Sequence, residues 1–348
     1  MVSFSSHAYP GVFTMKPELY WRGYCVCILF LLGSLVFCSC DDECLCPDDT
    51  GEQSGAWVRQ ESPVSANLSH LYAINARTVI AAGDTGVVIR TTDGGTTWQQ
   101  VESNTRERIR GISFADEYTG WITGDNGLVI KTTDAGLTWS VQPTGYPDNM
   151  HDICFVDPDT GWVVGGLWGT GPGGEGVVLK STDGGDTWTP QHTGVTMNAA
   201  WFIDAHTGFV ASGGGIVFRT SDGGDAWTEY DLQSPGWIGS FCFIDSDTGW
   251  VCGWGGFLAR TSDGGDTWTA IDGGVTRTIP DLFFVDAEHG WYVASTGTIA
   301  RTTDGGATWV FQSSGVSVNL TDVWFVDAMT GWVVGQQGTI LKTVTGGV

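Results

Sequence analysis

Basic residues are scarce in this chain. Fifteen Lys and Arg stand against 39 Asp and Glu over 348 residues, a formal net charge of −24. Nucleic-acid binding needs Lys and Arg concentrated against phosphates. The composition therefore excludes that partner class and fits a well-solvated protein outside the cytoplasm. Membrane-spanning length is also missing: the apolar run over residues 25–37 is thirteen residues long, too short to cross a bilayer as a helix but suited to a signal-peptide core. The cysteines form no metal or disulfide framework. Cys44 and Cys46 are a bare C-x-C, and Cys154, Cys242 and Cys252 fall in strand patterns where buried thiols are expected. Cys242 and Cys252 could meet across one hairpin, and export would permit a disulfide there. Neither a metal nor a cofactor motif is read: the D-G-G-D spacing that brings in Asp186, Asp225 and Asp266 is not a calcium loop.

The N-terminal part reads as an address. Lys16 and Arg22 lie before the apolar run, with Met15 as an alternative start. The run ends in Phe37-Cys38-Ser39-Cys40, where a small residue before a cysteine resembles a bacterial lipoprotein cleavage site. Residues 1–39 are thus expected to be a signal peptide and residues 40–55 an acidic, turn-rich tether lipidated at Cys40. Cys38, after bulky Phe37, is the weaker candidate, and simple cleavage without a lipid is the alternative. The expected location is extracytoplasmic, periplasmic or at the cell surface, with the membrane reached by the lipid alone.

What the chain has in quantity is glycine, 52 residues, and tryptophan, 18 residues. Their arrangement is periodic. Thr91-Thr92-Asp93-Gly94-Gly95-Thr96-Thr97-Trp98 recurs with its aspartate at Asp134, Asp183, Asp222, Asp263 and Asp304, at spacings of 41, 49, 39, 41 and 41 residues. One further step of 41 reaches Thr345, in a degenerate seventh copy. Each unit reads as four strands: an apolar strand ending in a turn aspartate, a strand opening with Gly-Trp, a Gly-x-apolar-x-basic strand, and a strand after the box tryptophan. Four strands per period of about 40 residues is the signature of propeller blades. The seventh copy lacks its fourth strand, and Ala56-Trp57-Val58-Arg59-Gln60 resembles that strand. The expectation is an all-β, seven-bladed propeller over residues 56–348, with the N-terminal strand completing the last blade and leaving no open edge.

Residues present in every blade are read as structural. The box aspartates should accept backbone N–H bonds, the box glycines supply positive φ, and the box tryptophans pack between blades. Arg90, Lys131, Lys180, Arg219, Arg260, Arg301 and Lys342 share one strand position, and Asp116 and its five counterparts make turns. The residues outside these series are Arg106, Arg108, Arg110, Arg277, Tyr146, Trp168, Trp237 and Trp254. Trp168 lies in an insertion within residues 165–176. Because strand direction alternates, all of them fall on the face built by the loops after strands two and four. Arginine and tryptophan are enriched at binding hot spots, so this face is the expected partner-binding surface. A plainer role for Arg106, Arg108 and Arg110 is to neutralise nearby Glu102 and Glu107.

The unit F-x-D-x-x-T-G-W-x-x-G-x-x-G-x-I-x-x-T-x-D-G-G-x-T-W resembles the photosystem II stability and assembly factor family, an Asp-box (BNR-repeat) propeller of the sialidase-like repeat superfamily. The resemblance covers residues 56–348. It implies a non-catalytic, chaperone-like factor of photosynthesis whose partner is a membrane-protein assembly intermediate, bound through an arginine-bearing surface. Arg106, Arg108 and Arg110 are its nearest match here. A sialidase-like glycoside hydrolase is the enzymatic rival. Glycosidases need paired carboxylates, or a tyrosine with a glutamate, in a cleft. Sialidases add three arginines from separate blades, whereas three of the non-repeat arginines here come from one stretch. A glycan-binding module stacking sugars on Trp168, Trp237 and Trp254 is the third reading. Lipidation at Cys40 should appear in mass spectrometry of the mature N-terminus as a lipid-bearing cysteine. A free, unmodified terminus beyond Cys46 would rule the anchor out.

Overall fold

The computed structural model describes residues 57–166 and 176–348. The signal, the tether with Cys40, Ala56 and Trp168 lie outside the described residues. Those described form seven four-stranded antiparallel sheets. Their first strands are Leu68–Ala73, Ile109–Phe114, Met150–Phe155, Met197–Phe202, Ile238–Phe243, Asp281–Phe284 and Leu320–Phe325, which open blades one to seven in that order. Each packs against the first strands of both neighbouring blades. The sheets therefore close into a seven-bladed propeller, with these inner strands around a central channel.

The Gly-Trp dipeptide follows from how blades meet. Phe114, Phe155, Phe202, Phe243, Phe284 and Phe325 end the inner strands of blades two to seven. Each stands opposite a glycine that opens the second strand, as Phe114 does Gly120. A Cβ on Gly120 would lie 2.5 Å from the Phe114 ring, so only glycine lets the ring lie flat on the backbone. The next residue then reaches into the following blade. Trp121 stacks on Phe155 with centroids 3.5 Å apart, and Trp162 on Phe202, Trp250 on Phe284 and Trp291 on Phe325 at 3.6 Å. Trp121 Nε1–H also donates to the box carbonyl of Gly184 in that following blade, at 2.9 Å. The box tryptophans meet the same phenylalanines edge-on, as Trp188 does Phe155 at 6.0 Å. The third-strand cation caps the stack: Lys131 Nζ sits 5.3 Å from the Trp121 ring centre.

Blade one breaks the pattern consistently. Its inner strand ends in Ala73, opposite Val79 and not glycine. Without a ring to cover, no glycine is required. Consequently Trp332 of blade seven has no aromatic ring stacked on it among the described residues, and this seam depends on other contacts.

The box turns form as the sequence implies. Asp93 Oδ1 accepts the Thr97 N–H at 2.9 Å, and its five counterparts accept the matching N–H at 2.8–2.9 Å. These bonds, the Thr97 N–H foremost, hold the Asp93 carboxyl down at about 2. A second anchor escaped the sequence reading. The residue two places earlier, Thr91, is buried, and its Oγ1 accepts the Gly95 N–H at 2.9 Å. Blade seven keeps this bond through Thr343 and Gly347 at 2.8 Å, although Thr345 replaces the aspartate. Asp116 and its counterparts accept two N–H bonds each in the first-strand turns.

The last sheet runs from the inner strand Leu320–Phe325 through Gly331–Gly335 and Ile340–Thr343 to Val58–Arg59. Val58 pairs with Lys342 and Arg59 with Leu341, and the Gln60 N–H donates to the Ile340 carbonyl at 2.9 Å. Trp57 takes the place of a box tryptophan: it is 3% exposed and edge-on to Phe325 at 5.6 Å. Removing residues 56–60 should therefore destabilise the domain sharply. Losing the buried indole alone costs about 3–5 kcal/mol, or about 10 °C in melting temperature. Removing residues 41–54 should leave the melting temperature unchanged. Thermal denaturation of the two deletions compares them directly, and equal midpoints for the parent and the 56–60 deletion would refute the closure.

Candidate partner-binding face and channel

The loops after second strands and those entering inner strands share one face. Backbone bonds tie them together, as where the Asp84 N–H donates to Asn67 O and the Asp125 N–H to Arg108 O. Every described residue of the non-repeating set lies here, in two groups. Arg106, Arg108 and Arg110 enter blade two, and Tyr146 enters blade three. Trp237 and Trp254 belong to blade five, and Arg277 precedes blade six.

The arginines differ from one another. Arg110 is part of the inner strand Ile109–Phe114 and pairs with Asp125. Arg108 is exposed, and its Nε lies 3.1 Å from Asp84 Oδ1 across the blade-one seam. Asp84 is held in turn by Asn67 Nδ2 at 2.9 Å. Arg106 is exposed and has no ion-pair partner among the described residues. The carboxylates that meet this stretch are thus Asp84 and Asp125, which replace the expected Glu102 and Glu107. Glu107 instead accepts from Asn126 Nδ2 at 2.8 Å. Arg277 is exposed and donates to Thr296 Oγ1.

The aromatic residues divide similarly. Tyr146 is half-buried against the hydrophobic cluster of Met150, Val129 and Trp121. Trp254 is 51% exposed, and its backbone N–H donates to the Trp237 carbonyl at 2.9 Å. A Cβ on Gly236 would lie 2.7 Å from the Trp254 ring, so the indole rests directly on backbone. These two tryptophans are brought together at blade five, on a support that costs little side-chain entropy to order.

The sequence reading missed the channel. The third residue of the inner strands, counted from its buried apolar start, is His70, Gly111, Asp152, Ala199, Ser240, Asp281 and Asp322 in blades one to seven. His70, Asp152, Ser240, Asp281 and Asp322, together with Tyr72, Trp201, Phe283 and Trp324 two residues beyond such positions, line a cavity of about 260 Å³. Each aspartate accepts an inner-strand N–H from the following blade: Asp152 from Ala200 at 2.9 Å, Asp281 from Val323 at 2.9 Å and Asp322 from Leu71 at 3.2 Å. Burial drives the Asp152 carboxyl up to about 6. It drives Asp281 and Asp322 well above the carboxylate range, with the neighbouring Asp322 charge adding to the shift of Asp281. The available signal was an apolar-x-Asp pattern in three of seven equivalent strands.

Below this ring, the Cys154 and Cys242 thiols receive the Phe202 and Phe284 N–H groups at 3.3 Å. Burial raises both thiols to about 12. Cys154, Cys242 and Cys252 are all free thiols. Cys252 stands opposite Ser240, and Cys242 opposite Trp250, so the two cysteines are not directly paired across the hairpin.

The channel acids are tied to backbone across the seams: Asp281 accepts the N–H of Val323, the residue after Asp322, which sets these two carboxyls beside each other in the cavity.

The propeller is similar in fold to several solved structures. YCF48 bound to D1 peptide superposes with a TM-score of 0.68 at 21% identity, covering 83% of this chain and 97% of that one. YCF48 from Cyanidioschyzon merolae gives 0.67 at 22% identity, covering 83% and 98%. The WD40 propeller domain of Doa1 gives 0.64 at only 10% identity, covering 83% and 96%. At such identities the likeness speaks for the fold. Sequence adds more: residues 50–145 match the family model described as "Photosynthesis system II assembly factor YCF48". The resemblance read from the repeat is thereby shown. No curated protein matches the chain in sequence.

At the channel mouth His151 is 6% exposed, and its Nδ1 lies 2.8 Å from the Met197 carbonyl of the next blade. Burial first, and Arg110 to a lesser degree, lowers its pKa to about 4. A base whose folded pKa is depressed stabilises the fold above its unfolded pKa and loses that contribution as pH falls through the folded value. The His151 ring resonances should therefore shift near pH 4. An NMR titration checks this, and a midpoint between 6 and 7 would contradict it.

Proposed function

We propose that this chain is a non-catalytic assembly factor that binds a protein segment on the loop face of its propeller. The observation that carries the reading is the family match over residues 50–145, a stretch that includes Arg106, Arg108 and Arg110. The related fold with a D1 peptide bound makes peptide recognition by such a propeller a direct precedent. In the proposed complex Arg106 and Arg108 contact an acidic partner segment, while Arg110, held by Asp125, orients the stretch. On a chain this acidic, such a cluster steers an oppositely charged partner. Trp254 and Trp237 supply apolar area on the far side of the channel mouth. The partner is a membrane-protein assembly intermediate, and the lipid on Cys40 keeps the propeller at the membrane surface.

Two variants test the face, one with Arg106, Arg108 and Arg110 changed to alanine and one with Trp237→Ala and Trp254→Ala. The probes are synthetic acidic peptides and a panel of oligosaccharides. Truncating a binding hot spot costs about 2 kcal/mol or more, roughly a thirtyfold loss of affinity. The arginine variant should lose peptide binding by that factor and remain folded. Unchanged peptide binding by both folded variants would remove this face as the site. Oligosaccharide binding lost only in the tryptophan variant would support the glycan-binding reading instead.

A further inference from the structure

Six of the seven seams, counted from each second strand to the following inner strand, bring an aromatic or aliphatic side chain onto a phenylalanine. The seam between blades seven and one does not, because Ala73 replaces the ring. It is closed from the channel side instead. Thr321 Oγ1–H donates to the Leu68 carbonyl at 2.7 Å, and the Tyr72 and Trp324 rings meet at 4.3 Å. Asp322 Oδ2 accepts the Leu71 N–H at 3.2 Å and lies 3.3 Å from His70 Nδ1. Asp281 makes the equivalent bond one seam earlier, to the Val323 N–H. That bond sets the Asp281 carboxyl beside Asp322, the residue before Val323, so the two acids share one buried part of the channel where ionising both brings like charges together.

We propose that Asp281, Asp322 and His70 form a proton-dependent clasp that closes the ring across the seams joining blades six, seven and one. With one proton held by the two carboxyls, the pair carries a single negative charge, and both backbone N–H bonds are satisfied. When that proton leaves to solvent, two like charges face each other in a confined channel and the clasp loosens.

The surrounding groups fit this behaviour. Blade two contributes Arg110, with Arg108 above it, and blade three contributes Asp152 and His151. Ser240 of blade five lines the cavity beside Asp281, and the blade-five thiols Cys242 and Cys252 feel the charge of Asp281. Blade four brings Asn198 and Trp201 to the channel and no titratable side chain. Arg108 and Arg110 form their ion pairs with Asp84 and Asp125, not with the acid pair. Burial pushes the His70 imidazole down, towards its neutral form. His70 therefore stands 3.3 Å from Asp322 as a polar neighbour, not as a counter-charge.

An acid whose folded pKa is raised leaves stability intact below its unfolded pKa and removes it as pH rises through the folded value. The full propeller should thus melt lower at pH 8 than at pH 5. The decisive variant is Asp281→Asn. Its carbonyl still accepts the Val323 N–H, and its amide stays neutral beside Asp322, mimicking the protonated clasp at every pH. The parent midpoint should fall by about 5 °C between these two pH values relative to Asp281→Asn. Asp152 is common to both proteins and cancels in the comparison. Hydrogen exchange at the Leu71 amide should accelerate at least tenfold more in the parent than in the variant over the same interval. Should Asp281→Asn fail to fold, Asp322→Asn and the Leu71 exchange profile of the parent provide the same comparison. Parallel pH profiles for parent and variant, or Leu71 exchange that follows only the intrinsic pH dependence, would overturn the proposal.

Discussion

The stacking of one blade's second-strand tryptophan on the next blade's inner phenylalanine is the contact on which the ring depends. Each such pair adds about 0.5–1.5 kcal/mol beyond the area it buries. It also fixes the angle between sheets, because the indole N–H must reach a box carbonyl at the same time. Three sequence features follow from it: glycine beneath the phenylalanine, a long cation over the indole, and a box turn that presents its carbonyl. The aspartate box is therefore more than a turn motif. Its hydroxyl and carboxylate bonds rigidify the loop whose Gly184-type carbonyl receives the neighbouring tryptophan.

With the framework set by that contact, variation is free to accumulate where the contact is absent. The loop face carries the unpaired arginine and the paired tryptophans because no stacking geometry constrains it. The channel carries buried acids because its inner-strand positions answer only to the next blade's backbone N–H. A serine, a cysteine or an aspartate can accept that bond, and all three do so in this ring. The chemistry of the channel is thus chosen blade by blade, while the surrounding packing changes little outside the seam between blades seven and one.

The blades, their number and the glycine and aspartate roles were legible because each recurs at one place in every repeat. The channel acids were not, for a physical reason. Asp152, Asp281 and Asp322 lie in apolar strands whose alternation marks them only as half-buried, and nothing local says that seven such faces converge on one axis. The arginine partners were hidden in a similar way. Glu102 and Glu107 are neighbours in sequence, but Asp84 and Asp125 are neighbours in space because second-strand loops fold over the strand entrances. The Ala73–Val79 exception was visible in the sequence as a joint departure from Phe and Gly. Its meaning required knowing that those two positions face each other.

The shared seventh blade sets an order of events during synthesis. Val58 must wait for Lys342 before its strand has a partner. At about 5–20 residues per second the ribosome needs on the order of tens of seconds to supply it. Through that interval blade one has a bare flank and Trp57 has no cavity to enter. The nascent propeller is an open arc with sticky ends, and joining them is the final step of its maturation. A chain stalled or cut before its last strand would present both ends at once, which gives quality-control factors a clear mark by which to know an unfinished copy.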